Sequence, residues 1–341
     1  MLRCCAPATP NWVAVNVIQR PLHYGVVDNR LGMSGTWFSY FLFLSVVQQI
    51  PLLVPRGLLL IGFILPMPRL IRSDVAISYE LSGDGPPVLF IQGIGVAGSG
   101  WRPQVDALNV RWQTLIFDNR GLGLSIPCNG PITVEAMAED ALNLMDATGW
   151  ESAHVVGHSM GGVIAQQLAL NVPERVRSLA LICTFARGSD GARLTPRILW
   201  MSLRTRVGTR RMRRRAFLEI LWPPNALLGA DVDALASQIS SLIGRDLADN
   251  PPILFQQLRA LGRHDIYDRL QELRRTPTLV ISGKHDPIAR PDSGRALAAA
   301  IPGAQFELMR AASHGLTIQH AGAINDRLET FWKIADRRKS M

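Results

Sequence analysis

From Met67 onward, short apolar runs alternate with helical stretches, and this alternation constrains the fold more than any other feature. The apolar runs are VLFIQG, TLIFDNRG, HVVGHS, SLALIC, TLVISG and QFELMR, each bounded by Gly, Pro, Asp or Arg. Between several of them lie stretches with apolar residues at helical spacing, such as TVEAMAEDALNLMDATG and SMGGVIAQQLALNVPE. Continuously apolar strands that alternate with helices predict an α/β fold with a mainly parallel, doubly wound sheet.

The alternation is interrupted between residues 187 and 262. That stretch contains the helical segments RILWMSLRTRV, RRMRRRAFLEILW and DALASQISSLIG and no convincing strand. We therefore predict a helical insertion at 187–262, between two parts of one sheet domain at 67–186 and 263–341.

The first 66 residues differ from the rest of the chain. No charged residue occurs from Leu31 to Pro55, but polar residues and prolines interrupt the apolar run before it reaches the length of a bilayer span. Three interpretations remain open for residues 1–66: a membrane anchor, a non-native extension before a functional start at Met67, or an amphipathic lid or partner-binding segment. The expected location is cytoplasmic, or membrane-anchored if residues 31–66 are native and inserted.

The formal charge of +9 comes largely from one region. No acidic residue lies between Asp190 and Glu219, whereas arginines crowd the second half of that stretch. A concentrated patch without a binding motif does not favour nucleic acid as a partner. The alternatives are a solvated helix surface, contact with an anionic lipid surface, or capture of an acidic substrate. The arginines concerned are Arg204, Arg206, Arg210, Arg211, Arg213, Arg214 and Arg215.

The four cysteines show no metal-ligand spacing. Cys4 and Cys5 are adjacent, and Cys183 lies in an apolar strand-like run, where we expect a small buried hydrophobe. We therefore expect no structural disulfide and no metal site.

The strongest local signal is Gly157-His158-Ser159-Met160-Gly161, which matches G-x-S-x-G. An apolar strand precedes it and a helical run follows it, which is the context that a nucleophilic serine requires. Such a serine lies on a sharp strand-to-helix turn that large neighbours would obstruct. The motif predicts Ser159 as nucleophile, with the backbone N–H of Met160 free to bind an oxyanion.

A serine hydroxyl needs a base, and we assign that role to His314. His314 follows the last strand-like run, at the carboxyl edge of the sheet where α/β folds place ligands. Asp286 follows TLVISG and is expected to orient the imidazole. Asp292 is the fallback but looks more like a helix cap, and His264, among the charges of RHDIYDR, is expected to face solvent.

A second oxyanion donor is expected in the loop after VLFI. Gln92-Gly93-Ile94-Gly95 lies at that place, and the backbone N–H of Ile94 is our candidate.

Together these residues resemble the α/β-hydrolase superfamily over roughly residues 70–335. The resemblance implies that the insertion at 187–262 is a helical cap over the site. Leu199, Trp200 and Trp222 are then expected to line or cover the pocket, or to form the core of the cap. Asp118-Asn119-Arg120-Gly121-Leu122-Gly123-Leu124-Ser125 is similar to its D-x-R-G-x-G-x-S segment, and SGKHDPIARP is similar to its acid loop. The resemblance is strongest to small serine esterases, enol-lactonases and cofactor-free perhydrolases, which implies a small-molecule acyl substrate and no cofactor. The family usually has His-Gly where this chain has Gln92-Gly93, so the hydrogen bonding of that loop is expected to differ.

The sequence thus predicts a serine hydrolase that cleaves a carboxylic ester, or a lactone or thioester, through an acyl-enzyme. Two alternatives use the same triad for other purposes. One is C–C bond hydrolysis or perhydrolysis, and the other is a slow-turnover ligand-binding or signalling protein.

Overall fold

The structure is a computed structural model, and it describes residues 67–191 and 195–339. The possible anchor at 31–66, like the rest of the first 66 residues, lies outside the described residues. Among the helices of the described part, none combines the length and apolar character needed to cross a bilayer.

Eight strands form one sheet. They are β1 (Arg69–Ile71), β2 (Ala76–Ser82), β3 (Pro87–Ile91), β4 (Gln113–Phe117), β5 (Ala153–His158), β6 (Val176–Ile182), β7 (Thr278–Gly283) and β8 (Gln305–Met309). Their order across the sheet is β1-β2-β4-β3-β5-β6-β7-β8. The pairings of β2 with β1 and β4 are antiparallel, and every pairing from β4 to β8 is parallel. The predicted fold class, a mainly parallel α/β sheet, is confirmed.

Helices connect the strands. They are α1 (Arg102–Leu108), α2 (Val134–Ala147), α3 (Met160–Asn171), α4 (Gly188–Gly191), α5 (Pro196–Arg204), α6 (Arg210–Leu221), α7 (Val232–Ile243), α8 (Pro252–Arg263), α9 (Pro291–Ala300), α10 (Leu316–Gln319) and α11 (Ala321–Lys339). Short 3-10 segments occupy Gly98–Trp101, Pro173–Arg175, Pro224–Leu227 and Tyr267–Arg275. Helix α2 packs against α3, and α11 packs against α1 and β6.

The central strands are continuously apolar because helices and neighbouring strands remove them from solvent. Every residue of β5 and β7 is buried. Burial of apolar surface contributes about 25 cal/mol for each Å² removed from water, so this layer dominates the stability of the sheet. A rigid sheet in turn fixes the loops at its carboxyl edge, and the four predicted site loops follow the parallel strands β3, β5, β7 and β8 there.

Helices α4 to α8 lie between β6 and β7, where the cap was predicted. Nine buried residues of this region form an apolar cluster of their own, centred on Leu218, Trp222, Ile239 and Leu247. The chain enters and leaves the region side by side, because the Gly188 amide donates to the His264 carbonyl at 3.0 Å. The imidazole of His264 is buried and contacts the Glu135 carboxylate at 2.9 Å. The expectation that His264 faces solvent is therefore wrong.

Five of the seven arginines clustered at 204–215 are paired with carboxylates. The acidic partners come from α6 itself, from α7 and from the loop after α7. The pairs are Arg204 and Arg215 with Glu219, Arg210 with Asp246 and Asp249, Arg211 with Asp233, and Arg214 with Asp233 and Asp246. The basic patch seen in the sequence is thus partly neutralised by residues that follow it in the chain.

The apolar residues of α5 are divided between two faces. Leu199 and Trp200 are 51% and 60% exposed, so the alternative that they form the core of the cap is wrong. Of the apolar residues of this helix, Ile198 and Met201 line a cavity beneath the cap. Trp222 is buried in the cap cluster, as one of the two alternatives predicted.

Candidate active site

Ser159 lies on the turn between β5 and α3 with φ 57° and ψ −123°, a conformation that is strained for any residue with a side chain. A turn this tight requires glycine at both flanking positions. A Cβ on Gly157 would lie 2.3 Å from the Gly161 carbonyl oxygen, and a Cβ on Gly161 would lie 2.1 Å from that of Ile91. The G-x-S-x-G motif therefore builds the turn that presents the serine hydroxyl.

Hydrogen bonds to the backbone of Ser159 hold this turn in place. The Ser159 amide donates to the Ile182 carbonyl at 2.9 Å, and the Thr184 hydroxyl donates to the Ser159 carbonyl at 2.7 Å. The Ser159 hydroxyl itself takes no part, because it forms no hydrogen bond with any described residue. The hydroxyl is thus free to react.

Asp286 and His314 are in direct contact. Nδ1 of His314 lies 2.7 Å from Oδ2 of Asp286. The Asp286 residue is buried, with 4% of its surface exposed. The other carboxylate oxygen accepts the amides of Ile288 at 2.8 Å and Ala289 at 2.9 Å. The carboxylate is oriented by these amides, so it holds the imidazole with Nδ1 protonated and leaves Nε2 as the nitrogen able to accept a proton.

Ser159 and His314 lie at the same edge of the sheet. Among the described residues, the Ser159 hydroxyl and the His314 imidazole form no hydrogen bond with each other. Both residues keep some exposure, 7% for Ser159 and 8% for His314. Contacts of this kind are commonly long in unliganded enzymes and shorten once substrate is bound.

Asp292, the fallback acid, lies in the first turn of α9 with its side chain 80% exposed and forms an ion pair with Arg290.

His158, the residue before the serine, supports the loop that carries His314. Its Nε2 donates to the His314 carbonyl at 2.9 Å, and the two rings lie 4.9 Å apart between centroids. Burial, and then the charge of His314, lowers the pKa of His158 to about 3. His158 is therefore a neutral donor at physiological pH. Sequence reasoning missed this contact, because it joins residues 156 positions apart.

The lowered pKa of His158 should make the free energy of unfolding depend on pH. Between pH 6.5 and about 3, unfolded chains bind a proton at His158 that folded chains do not. The free energy of unfolding should therefore fall with decreasing pH, by about 1.4 kcal/mol per pH unit from this group alone. The variant His158→Gln keeps an N–H donor but does not titrate. Urea unfolding between about pH 4 and 7 should give a shallower slope for the variant. Equal slopes would contradict the assignment.

The loop after β3 packs against the serine. A Cβ on Gly93 would lie 2.9 Å from the Ser159 Cβ, so a glycine is needed for this approach. Among the described residues, the amides of Ile94 and Met160 donate no hydrogen bond. Met160 is also the first residue of α3, where the helix dipole favours negative charge. Both predicted donors are thus available to an oxyanion.

Four side chains fix the loop after β3. Oε1 of Gln92 accepts a hydrogen bond from the Gly93 amide at 3.2 Å. The glutamine, which stands where the family usually has histidine, thus holds the backbone of its own loop. The Asn119 amide donates to the Gln92 carbonyl at 2.9 Å. Two cap residues hold Gly95, since Gln257 accepts its amide at 2.9 Å and Arg245 donates to its carbonyl at 3.1 Å.

The segment Asp118–Ser125 supports the loop after β3 and the turn that follows it. Asp118 accepts the amides of Gly98 and Leu124, at 2.8 and 2.9 Å. Arg120, fully buried, forms a bidentate pair with Asp140 at 2.6 and 2.7 Å. Such a pair is costly to break from one side, by about 3–5 kcal/mol, so it fixes the segment firmly.

One group of described residues has the composition of a metal site. Ligating atoms of His158, Cys183 and His314 lie within 4.8 Å of one another, all buried. The histidines already use nitrogens in hydrogen bonds, to the His314 carbonyl and to Asp286. Burial holds the pKa of the Cys183 thiol well above its ordinary value, so the thiol is a poor metal ligand. The donor arrangement fits a triad better than a metal centre.

The fold and this geometry define a class: a parallel α/β sheet with a serine at a nucleophile elbow and a paired His and Asp on the loops after later strands. The profile of the alpha/beta hydrolase fold family matches residues 86–222. The protein of Azorhizobium caulinodans named "Putative carbamate hydrolase RutD" is 30% identical over 269 residues, which are 78% of this chain and 98% of that protein. The chain belongs to the alpha/beta hydrolase family, which confirms the resemblance seen in the sequence.

Solved structures give the same result. The enol-lactonase from Burkholderia xenovorans LB400 is 27% identical with a TM-score of 0.66, and the match covers 78% of this chain and 100% of that one. A hydrolase from Pseudomonas aeruginosa PA01 is 28% identical with a TM-score of 0.66, covering 78% of this chain and 98% of the other. The similarity thus extends over more than three quarters of this chain and nearly all of each solved structure.

Proposed function

We propose that this chain hydrolyses a carboxylic ester, or a lactone or thioester, through an acyl-enzyme on Ser159. One observation carries the proposal: the 2.7 Å contact that holds the His314 imidazole to Asp286, at the sheet edge where the elbow presents the serine. Neither partner alone would supply a base with a fixed tautomer. The free amides of Ile94 and Met160 add the electrostatic stabilisation that acyl transfer requires.

In the proposed mechanism, Nε2 of His314 takes the proton of Ser159 as its hydroxyl attacks the carbonyl carbon. The tetrahedral oxyanion binds the amides of Ile94 and Met160, and Asp286 stabilises the imidazolium. His314 then gives the proton to the leaving alcohol, and the acyl group stays on the serine. Water, deprotonated by the same imidazole, releases the acid and restores the hydroxyl.

The cavity beneath the cap favours a small group on one side of the scissile bond. Its volume is about 160 Å³, below the roughly 300–1,000 Å³ of sites that enclose a whole ligand. Ile94 and Ile288, from the oxyanion and acid loops, line it together with apolar cap residues such as Met201 and Leu254. The proposed partner is therefore a small-molecule acyl compound, and no cofactor is needed for this chemistry.

The names of the relatives point to related acyl chemistry, since one is named for a carbamate and one for an enol-lactone. C–C bond hydrolysis and perhydrolysis on the same triad, and slow-turnover ligand binding, remain the alternatives. The pocket walls decide between them, not the triad.

A substrate panel tests the proposal. Para-nitrophenyl esters with short acyl chains should turn over with kcat/KM of about 10⁴ M⁻¹ s⁻¹ or more. Their kcat/KM should exceed that of the dodecanoate ester because of the small cavity. A lactone, a thioester, a vinylogous diketone and acetate with hydrogen peroxide complete the panel. A preference for the diketone or for peroxide would replace the ester proposal with an alternative, and labelling by a fluorophosphonate without turnover would favour a binding role.

A further inference from the structure

The cavity beneath the cap carries positive charge. Two arginines, Arg206 and Arg245, line it, and no Asp or Glu is among its lining residues, all of which the structure describes. The other lining residues are apolar or hydroxylated side chains. A substrate group that enters this cavity therefore meets cations and apolar surface.

Arg245 is held by neutral groups only. Its Nε donates to the Gly95 carbonyl at 3.1 Å, and its Nη1 donates to the carbonyls of Asp246 at 3.1 Å and Asp249 at 2.7 Å. The guanidinium also lies 5.3 Å from the centroid of the Phe217 ring. Within the described residues no carboxylate forms an ion pair with it. The side chain is thus rigid and positively charged, but its charge is not neutralised by contact.

The neighbouring carboxylates are turned to other partners. Asp246, the next residue, binds Arg210 and Arg214 and accepts the Ala248 amide. Five of the seven arginines clustered at 204–215 have acidic partners, as described above. Arg245, like Arg206 on the same cavity, has no such partner among the described residues. Partial burial lowers the pKa of Arg245, which shows that its charge is costly where it stands.

One nitrogen of Arg245 is unused. Nη2 forms no hydrogen bond with any described residue. A Cβ on Gly95 would lie 3.4 Å from it, which places this nitrogen beside the loop that carries Ile94. The donor therefore lies beside the loop that carries the Ile94 amide, and it belongs to a residue that lines the cavity.

We propose that Nη2 of Arg245 binds a carboxylate of the substrate, so that the preferred substrates are anionic esters or lactones whose carboxylate lies a few bonds from the reacting carbonyl. This inference rests on the proposed function, since it names the substrate class of the same site. A carboxylate supplies the acceptor that the guanidinium lacks, and a single free nitrogen in a small cavity suits one such group.

Two esters of equal chain length test the inference: mono-para-nitrophenyl glutarate, which carries a carboxylate, and para-nitrophenyl pentanoate, which is neutral. The wild-type chain should prefer the glutarate ester. Arg245→Met should lower kcat/KM for that ester about 10- to 100-fold more than for the pentanoate, because a charged hydrogen bond is lost. Arg245→Lys should retain part of the preference. Arg197→Met removes an arginine of the same cap that does not line this cavity, and should leave the ratio unchanged.

The outcomes separate the two proposals. Hydrolysis of both esters with a ratio that Arg245→Met does not change would overturn the carboxylate site and leave the esterase intact. No hydrolysis of either ester and no fluorophosphonate labelling would overturn the proposed function itself. Arg245→Met could lose activity on both esters, because Gly95 would lose its contact with Arg245. In that case the test is inhibition of the wild-type chain by glutarate and by glutaramide. Glutarate should then inhibit about tenfold more strongly than glutaramide, and equal inhibition would overturn the inference.

Discussion

Replacing Ser159 with alanine is expected to lower kcat for para-nitrophenyl esters by about five to six powers of ten. The hydroxyl is the only group removed, and it forms no hydrogen bond with any described residue. Alanine can adopt the positive φ of the turn at a similar cost to serine. The hydrogen bond from the residue's amide to the Ile182 carbonyl remains, as does the one that its carbonyl accepts from the Thr184 hydroxyl. The loss should therefore be chemical, with the free energy of unfolding unchanged within about 0.5 kcal/mol.

The matched control is Ser282→Ala. Ser282 is also a buried serine, in β7, and its hydroxyl has no hydrogen-bond partner in the structure. Its removal should leave ester turnover unchanged. Steady-state kinetics and urea unfolding of both variants provide the comparison. Wild-type turnover by the Ser159 variant would refute the acyl-enzyme mechanism.

Replacing Asp286 with asparagine is expected to lower kcat by about 10⁴ while the fold is kept. An amide oxygen can still accept the N–H groups of Ile288 and Ala289, so the loop should stay in place. The amide nitrogen would then face Nδ1 of His314 and present a donor where the imidazole needs an acceptor. The imidazole would place its proton on Nε2 and could no longer accept one from Ser159.

The control for this variant is Asp292→Asn, the fallback acid of the sequence analysis. Its carboxylate is exposed at the start of α9, so kcat should not change. Kinetics with one chromogenic ester are sufficient for both variants. The opposite result, with Asp292 essential and Asp286 dispensable, would show that the acid has been misassigned.

The strands and the elbow could be predicted from the sequence because their signals are local. HVVGHS is an apolar run that reaches Gly157, and TLVISG is one that ends at Gly283; the structure places β5 and β7 at them. Glycine on both sides of Ser159 is required by clashes with the backbone of the same turn and of the adjacent strand. The positions of Asp286 and His314 followed from chain order, since loops after parallel strands meet at one edge.

Contacts between distant segments could not be predicted in this way. His158 was noted only as a neighbour of the serine, because its contact with the His314 carbonyl depends on how the loops after β5 and β8 pack. His264 appeared solvated among charged neighbours, but its burial depends on α2, whose Glu135 lies 129 positions away. The sequence of α5 predicts a helix but not which of its faces meets the cavity, so it does not separate Ile198 and Met201 from the exposed Leu199.

The fluorophosphonate reaction tests the central claim most directly, because the reagent modifies only a serine activated by a base and an oxyanion site. Mass spectrometry of the labelled full-length chain should place one adduct on Ser159, and His314→Ala should abolish its formation. An adduct on another residue, or undiminished labelling of Ser159 without His314, would contradict the account.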